Sequence, residues 1–202
     1  MSKIAMRFGE VVLKTTKYDA LKLWYCRVLD TLPIFESERK EHSGSTDTSP
    51  VAGRDEMSGA FRQLCLLRPY SEYPFTESLV ILDIPGLRQS DHAGPGMDHF
   101  QMQFASLSDL FDRYEALVPH GIAPARSANH GPGTSFYYRD PDGNRVELAA
   151  KNYAAEAEFM AFMKSEVFRR NPAGVDVDPA EYVGRYRNGV SIEELRRFPE
   201  SS

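Results

Sequence analysis

Two spacings of apolar residues alternate along this chain, one of period two and one of three to four, and they predict strands and helices in turn. In Gly9–Thr16 (GEVVLKTT), Glu10, Val12 and Lys14 fall on one strand face and Val11, Leu13 and Thr15 on the other. From Asp19, Leu21, Trp24, Tyr25, Val28 and Leu29 recur at helical spacing, and Trp24 reads as core. Leu32–Glu36 predicts a short strand, with Pro33 suiting a sheet edge. Ser37–Ser58 is polar and short of large apolar residues, so it predicts a mobile loop or insertion. Ala60–Arg68 and Glu77–Ile84 predict strands, joined by a packed loop over Pro69–Thr76. Leu87–Met97 predicts a linker.

The same grammar then repeats. Asp98–Ala105 alternates, with Phe100, Met102 and Phe104 opposite His99, Gln101 and Gln103. Ser106 and Asp109 form a variant capping box before Leu107, Leu110, Phe111, Tyr114 and Leu117. Ile122–Ala128 predicts a strand. Thr134–Arg139, the turn Asp140-Pro-Asp-Gly143, and Asn144–Ala150 predict a hairpin. Strand, helix and three strands, given twice, predict an α+β fold: two βαβββ modules, about 8–86 and 97–150, making one curved mixed sheet around a cavity. Together they form a domain over 1–150. Residues 151–202 predict a helical extension: an amphipathic helix over Ala154–Val167, a turn-rich connector over Asn171–Pro179, and short helices near 180–186 and 192–197. That tail would cover a helix face, close over the cavity mouth, or pack on a second subunit.

Composition narrows the class. A chain of 202 residues, 42% hydrophobic and 11% aromatic, suits one globular unit or two small modules. The net charge of −5 argues against nucleic acid as the main partner. No run of about 18 apolar residues appears, so no membrane span is expected. No secretory leader is evident, and Cys26 and Cys65 match no zinc or redox spacing. They read as buried thiols of a reducing compartment, with the cytoplasm as the expected location.

Glu147 sits in mid-strand on the face of Arg145 and Ala149, opposite Val146 and Leu148. A carboxylate there implies a wet face, a cationic partner or a metal. Glu10 and His99 occupy equivalent places on the opening strands of the two modules. Two carboxylates and an imidazole converging on one point would form a divalent-metal site with open positions. The alternative is a solvated face carrying unrelated polar residues. His42, His92 and His120 fall in loops or at a helix end and carry no assigned role.

The stretch DPDGNRVEL after an aromatic strand, and HF before a capped helix, resemble the vicinal oxygen chelate superfamily of glyoxalase I, bleomycin-resistance proteins and extradiol ring-cleavage dioxygenases. The resemblance covers residues 8 to 150. NHGPGTSFYYRDPDGNRVEL, followed by FMKSEVF and NPAGVDVDP, extends it to a dioxygenase-like branch that includes the tail. It implies metal ligands at Glu10, His99 and Glu147. Ring-cleaving members carry His at the first position, around Fe(II). Glu10 makes the set harder and more anionic, which also suits Mn(II), Mg(II) or Zn(II) acting as a Lewis acid. Metal loss, with Glu10 as a base or pocket acid, is a further alternative.

The resemblance also points to Tyr137, ten residues before Glu147, where relatives carry a substrate-contacting tyrosine. It places His130 at the cavity mouth, where it would move a proton near neutral pH. Relatives have an EHHR-like stretch where this chain has TESL, so Glu77 would take the role of the missing acid–base histidine. The implied function is an enzyme of extradiol-dioxygenase type, acting on an oxygenated aromatic small molecule of catechol or polyketide kind, with a homodimer as its assembly. Non-redox chemistry (isomerase, lyase, cyclase or hydrolase) and metal-free sequestration of a small molecule are the alternatives.

Overall fold

Hydrogen bonding divides the strands between two sheets, one in each of two units, Met1–Ala93 and Gly94–Ser202. The computed structural model describes residues 8–40, 61–72, 75–88 and 94–198. The mixed α+β class and the doubled module pattern are as the sequence predicts. The single curved sheet of that reading is, in its hydrogen bonding, a sheet of four strands and a sheet of five. Most of the polar segment 37–58 and part of the 87–97 linker, with His42 and His92, lie outside the described residues.

In the first unit, β1 (Glu10–Thr15) leads through α1 (Tyr18–Leu29) to β2 (Phe35–Glu36), β3 (Gln63–Glu72) and β4 (Phe75–Asp83). The order is β1-β4-β3-β2, with β1 parallel to β4. That puts β2, with its nearby Pro33, on an edge. The apolar stripe of α1 buries Leu21, Tyr25 and Val28, and the sheet buries Leu13, Leu67, Leu79 and Ile81. Each such side chain contributes about 1.5–3 kcal/mol of transfer free energy. Where the residues of the loop expected over Pro69–Thr76 are described, they are strand instead: β3 runs to Glu72, and Ser71 pairs with Thr76. The register shifts between Leu67 and Tyr70, so Pro69 sits at an irregularity where its missing N–H leaves no ladder bond unmade.

The second unit runs β5 (His99–Phe104), α2 (Leu107–Leu117), β6 (Arg126–Asn129), β7 (Gly133–Arg139) and β8 (Arg145–Lys151). The Ser106 hydroxyl caps α2 by accepting from the Asp109 N–H at 3.1 Å. The helix lays Leu107, Leu110 and Phe111 over a sheet face that buries Phe136, Tyr138, Val146 and Leu148; the Phe111 and Phe136 rings stack at 6.3 Å. The β7–β8 turn is held by Asp140, whose carboxylate accepts from the N–H groups of Asp142 and Asn144 at 2.9 Å each.

The tail belongs to this second unit. The single helix expected over 154–167 is two, α3 (Glu156–Met163) and α4 (Glu166–Arg170), because Ser165 breaks the run and caps the second through the Phe168 N–H. The turn-rich connector contains β9 (Val175–Asp176), which pairs with β6 and extends the sheet to β5-β8-β7-β6-β9. α5 (Pro179–Arg187) packs Tyr182 and Tyr186 against Phe111 of α2, and α6 (Ile192–Leu195) receives the Tyr182 hydroxyl on the Leu195 carbonyl at 2.7 Å. Among the described residues no helix is long and apolar enough to cross a membrane.

Candidate active site

Parallel pairing of β5 with β8 sets His99 beside Arg145 and Gln101 beside Glu147. Antiparallel pairing sets Tyr137 of β7 directly across from Glu147. Period-two alternation therefore gathers His99, Gln101, Gln103, Ser135, Tyr137 and Glu147 on the sheet face away from α2.

His99 Nε2 lies 2.8 Å from Glu147 Oε2. Behind it, His99 Nδ1 lies 2.6 Å from Asp98 Oδ2, and Asp98 in turn accepts from Arg145 at 2.8 Å. The proton bond to His99, with the Arg145 charge, holds the Asp98 carboxyl below its ordinary range. Glu147 is buried, and its other oxygen accepts a 2.5 Å bond from the Ser135 hydroxyl. Ser135 fixes one carboxylate oxygen, and the second faces the imidazole.

Two donors at this separation suit a shared divalent ion. Adjacent ligands of an octahedral ion with bonds of about 2.1 Å stand about 3 Å apart. The Asp98–His99 bond is the outer-sphere arrangement that orients a metal-ligating imidazole through its remote nitrogen. The chemistry of the donor pair thus fits a hard or borderline divalent cation. Among the described residues no group of three or more His, Cys, Asp or Glu is gathered for a metal; the pair His99–Glu147 is what the second unit brings together. Glu10 opens β1 of the first unit, exposed and paired with Ser78.

Tyr137 and His130 form a second pair on the same face. His130 Nε2 stands 3.0 Å from the Tyr137 hydroxyl. The Tyr137 ring packs edge-on against both His99, at 5.6 Å, and His130, at 6.1 Å. The Arg126 guanidinium lies 5.6 Å over it. Burial pushes the Tyr137 hydroxyl above its ordinary pKa, reinforced by the Glu147 charge, so it stays protonated. Burial pushes His130 below its ordinary value, against the opposing pull of Glu147. At neutral pH the pair is a neutral phenol beside a neutral imidazole.

A cavity of about 340 Å³ opens over this face. Gln101, Gln103, Lys151, His130, Ser135, Tyr137 and Glu147 give it polar points, while His99 lines a neighbouring pocket with Asp98 and Arg126. Phe159, Phe168 and Pro172 of the tail give it apolar wall. Its volume is at the small end of the range of about 300–1,000 Å³ typical of ligand pockets.

Glu77 does not share the face of Glu10. Ser78 is the partner of Glu10 across β1 and β4, so Glu77, one residue away, projects from the opposite face, the one that buries Leu79 and Ile81. His120 lies in a single 3-10 turn after α2.

Three contributors escaped the sequence reading. Ser135 shares the alternating face of Tyr137, a signal available in principle. Asp98 directly precedes His99. The tail's Phe159, Phe168 and Pro172 were not singled out, although closure of the tail over the cavity mouth was one of its expected roles, because only long-range packing brings them to the cavity.

A paired βαβββ chain with a histidine–carboxylate pair on a sheet face and a cavity above it defines a class of small-molecule enzymes. The sequence model of the Glyoxalase/Bleomycin resistance protein/Dioxygenase superfamily matches residues 7–148. The chain is 33% identical over 190 residues to a biphenyl-2,3-diol 1,2-dioxygenase 2 of Rhodococcus globerulus, covering 94% of this chain and 86% of that one. It is 29% identical over 194 residues to biphenyl-2,3-diol 1,2-dioxygenase 3 of the same organism, covering 95% and 88%. A glyoxylase/bleomycin resistance protein/dioxygenase domain from Frankia sp. EAN1pec aligns with a TM-score of 0.48 and 20% identity, over 73% of this chain and 99% of that chain. The chain belongs to this superfamily, also called the vicinal oxygen chelate superfamily, in its dioxygenase-like branch. It is an enzyme of extradiol-dioxygenase-like type or a related member.

Proposed function

We propose that this enzyme binds a divalent metal ion and opens the ring of a catechol-type aromatic in the extradiol manner. One observation carries the reading: the His99–Glu147 donor pair, backed by Asp98, shares a sheet face with the neutral His130–Tyr137 pair. The names of the two Rhodococcus relatives support the substrate class. His99 and Glu147 would hold the ion, with Glu10, at the matching position of β1, taken as third ligand from the resemblance. Such an ion supplies charge stabilisation to two neighbouring substrate oxygens and, as Fe(II), access to O₂ chemistry.

The chain's own residues do the rest. The apolar tail wall excludes water from an aromatic ring. The Tyr137 hydroxyl donates to His130 Nε2 and leaves its oxygen free to accept a substrate O–H. A substrate proton then passes through Tyr137 to rest on His130 Nε2, a transfer of the kind worth about 10²–10⁴ in rate. Ser135 keeps Glu147 aimed while this occurs. The enzyme would work in the cytoplasm, as a homodimer.

A second reading is favoured by Glu10 itself. An added carboxylate hardens the site and suits non-redox chemistry on a similar substrate.

The test is anaerobic loading with Fe(II), Mn(II), Mg(II) or Zn(II), then oxygen uptake with a catechol panel that includes biphenyl-2,3-diol. Stoichiometric metal, lost in His99→Ala and Glu147→Ala, with Fe(II)-dependent uptake is the expected result. No uptake, with turnover by the Mn(II) or Mg(II) form, would replace the oxygenase reading with the non-redox one. A metal-free protein that still retains an aromatic ligand would replace both with sequestration.

A further inference from the structure

His130 is gripped from outside the module that carries it. Its ring nitrogens face different elements. Nε2 meets the Tyr137 hydroxyl at 3.0 Å. The Nδ1 side lies against the tail turn Pro172–Gly174, so closely that an ideal Cβ on Gly174 would stand 2.8 Å from Nδ1, 2.9 Å from the His130 Cα and 2.6 Å from the Asn129 carbonyl oxygen. Gly174 has φ +80°, which a side chain would strain in any case. The Ala173 and Pro172 backbone beside the ring pulls its pKa up, against the burial that lowers it, as neighbouring carbonyl oxygens do. A carbonyl only accepts, so the nitrogen that faces it must carry the hydrogen.

The turn is itself fixed. The Asn171 side chain donates to the Gly174 carbonyl at 2.9 Å, Arg126 donates to the Ala173 carbonyl at 3.1 Å, and β9 pairs Val175 with Asn129. The loop that bears His130 is locked on its other side. Asn152 donates to the Asn129 side chain at 3.0 Å and to the Gly131 carbonyl at 2.9 Å, and Phe162 of α3 lies over Gly131.

We propose that the tail turn Pro172–Gly174 positions His130 and sets its tautomer: Nδ1 carries the proton, bonded to the turn's carbonyls, and Nε2 presents its lone pair to the Tyr137 hydroxyl. Tyr137 is then the donor of that bond, and its oxygen keeps its capacity to accept. Without the turn, the ring can rotate or carry its hydrogen on Nε2, and the proton acceptor is lost. Pro172, Ala173 and Gly174 are positioning residues. Burial, which holds the ring neutral, agrees with this arrangement. The inference rests on the proposed role of His130 but names what makes that role possible.

The experiment reads ring nitrogens by ¹⁵N–¹H NMR on the whole chain, without substrate or added metal, at a pH above the imidazole range. Loss of one ring system in His130→Gln assigns the signal. The expected wild-type signal is a neutral ring with hydrogen on Nδ1. Asn171→Ala, which loosens the turn without a clash, and Gly174→Ala, which displaces it, should raise the Nε2–H form from minor to major. kcat should fall by about tenfold, part of what proton transfer supplies, with KM nearly unchanged. Should Gly174→Ala fail to fold, Asn171→Ala alone decides. A wild-type ring bearing hydrogen on Nε2, or an unchanged Nδ1–H ring in the folded variants, overturns the proposal. The NMR arm needs no turnover, so a failed catechol assay would sink the functional reading and leave this result standing.

Discussion

Ser135→Ala isolates the bond that aims Glu147. Ser135 and Glu147 are both buried, and the hydroxyl donates to Oε1 at 2.5 Å. The substitution removes a donor from a buried carboxylate and admits little compensating water. A hydrogen bond to a charged group is worth about 1.5–3 kcal/mol, and the lost hydroxyl leaves only a small void. Over a chain of this length that corresponds to a fall of about 3–12 °C in melting temperature. Ser127→Ala is the matched control. Its hydroxyl is equally buried, on the neighbouring strand β6, and finds no partner. Removing it should be neutral or slightly stabilising. Urea titration followed by tryptophan-independent far-UV circular dichroism measures both variants. Equal effects at positions 135 and 127, or a Ser135→Ala protein as stable as wild type, would refute the claim that the hydroxyl satisfies Glu147. The same variant should also bind Mn(II) or Zn(II) more weakly, since a freed carboxylate oxygen reorients.

Asp98→Asn should weaken divalent-metal affinity by about 10–100-fold while the fold persists, because Asp98 touches His99 only through the remote Nδ1; chelator competition measures it, and wild-type affinity would sever Asp98 from the site. The pH dependence has a defined sign. Burial depresses His130, so the unfolded chain takes up its proton before the folded one; the contribution to stability is present above the ordinary imidazole value of 6.5 and is lost as pH falls through the depressed folded value. The His130-dependent acid limb of kcat/KM should therefore lie below pH 6.5, and a limb above 6.5 that disappears in His130→Gln would contradict the neutral base.

Much of this molecule follows from local pattern. Period-two and period-three-to-four spacings placed β1, α1, β5, α2 and the β7–β8 hairpin within a few residues, because each element buries one face and its sequence must alternate accordingly. The same rule set His99 and Glu147 each on the polar face of its own strand before any pairing was known. Edges and irregular strands were less legible. Pro69 reads as a loop in sequence, yet a register shift absorbs it inside β3. Glu77 looked eligible as an acid–base group until the β1–β4 register turned it to the face away from Glu10.

The chain alone determined the module pattern, the strand faces and the residue types offered for chemistry, since these depend on neighbours one to four positions away. Tertiary structure decided which of them meet. Parallel pairing of β5 with β8 brought the His99 imidazole within 2.8 Å of Glu147, and Ser135 became its partner only through the β7–β8 register. The tail, for which the sequence left a helix-face cover, a cavity lid and a subunit contact open, became cavity wall and the neighbour of His130, because contacts across more than forty residues leave no periodic trace.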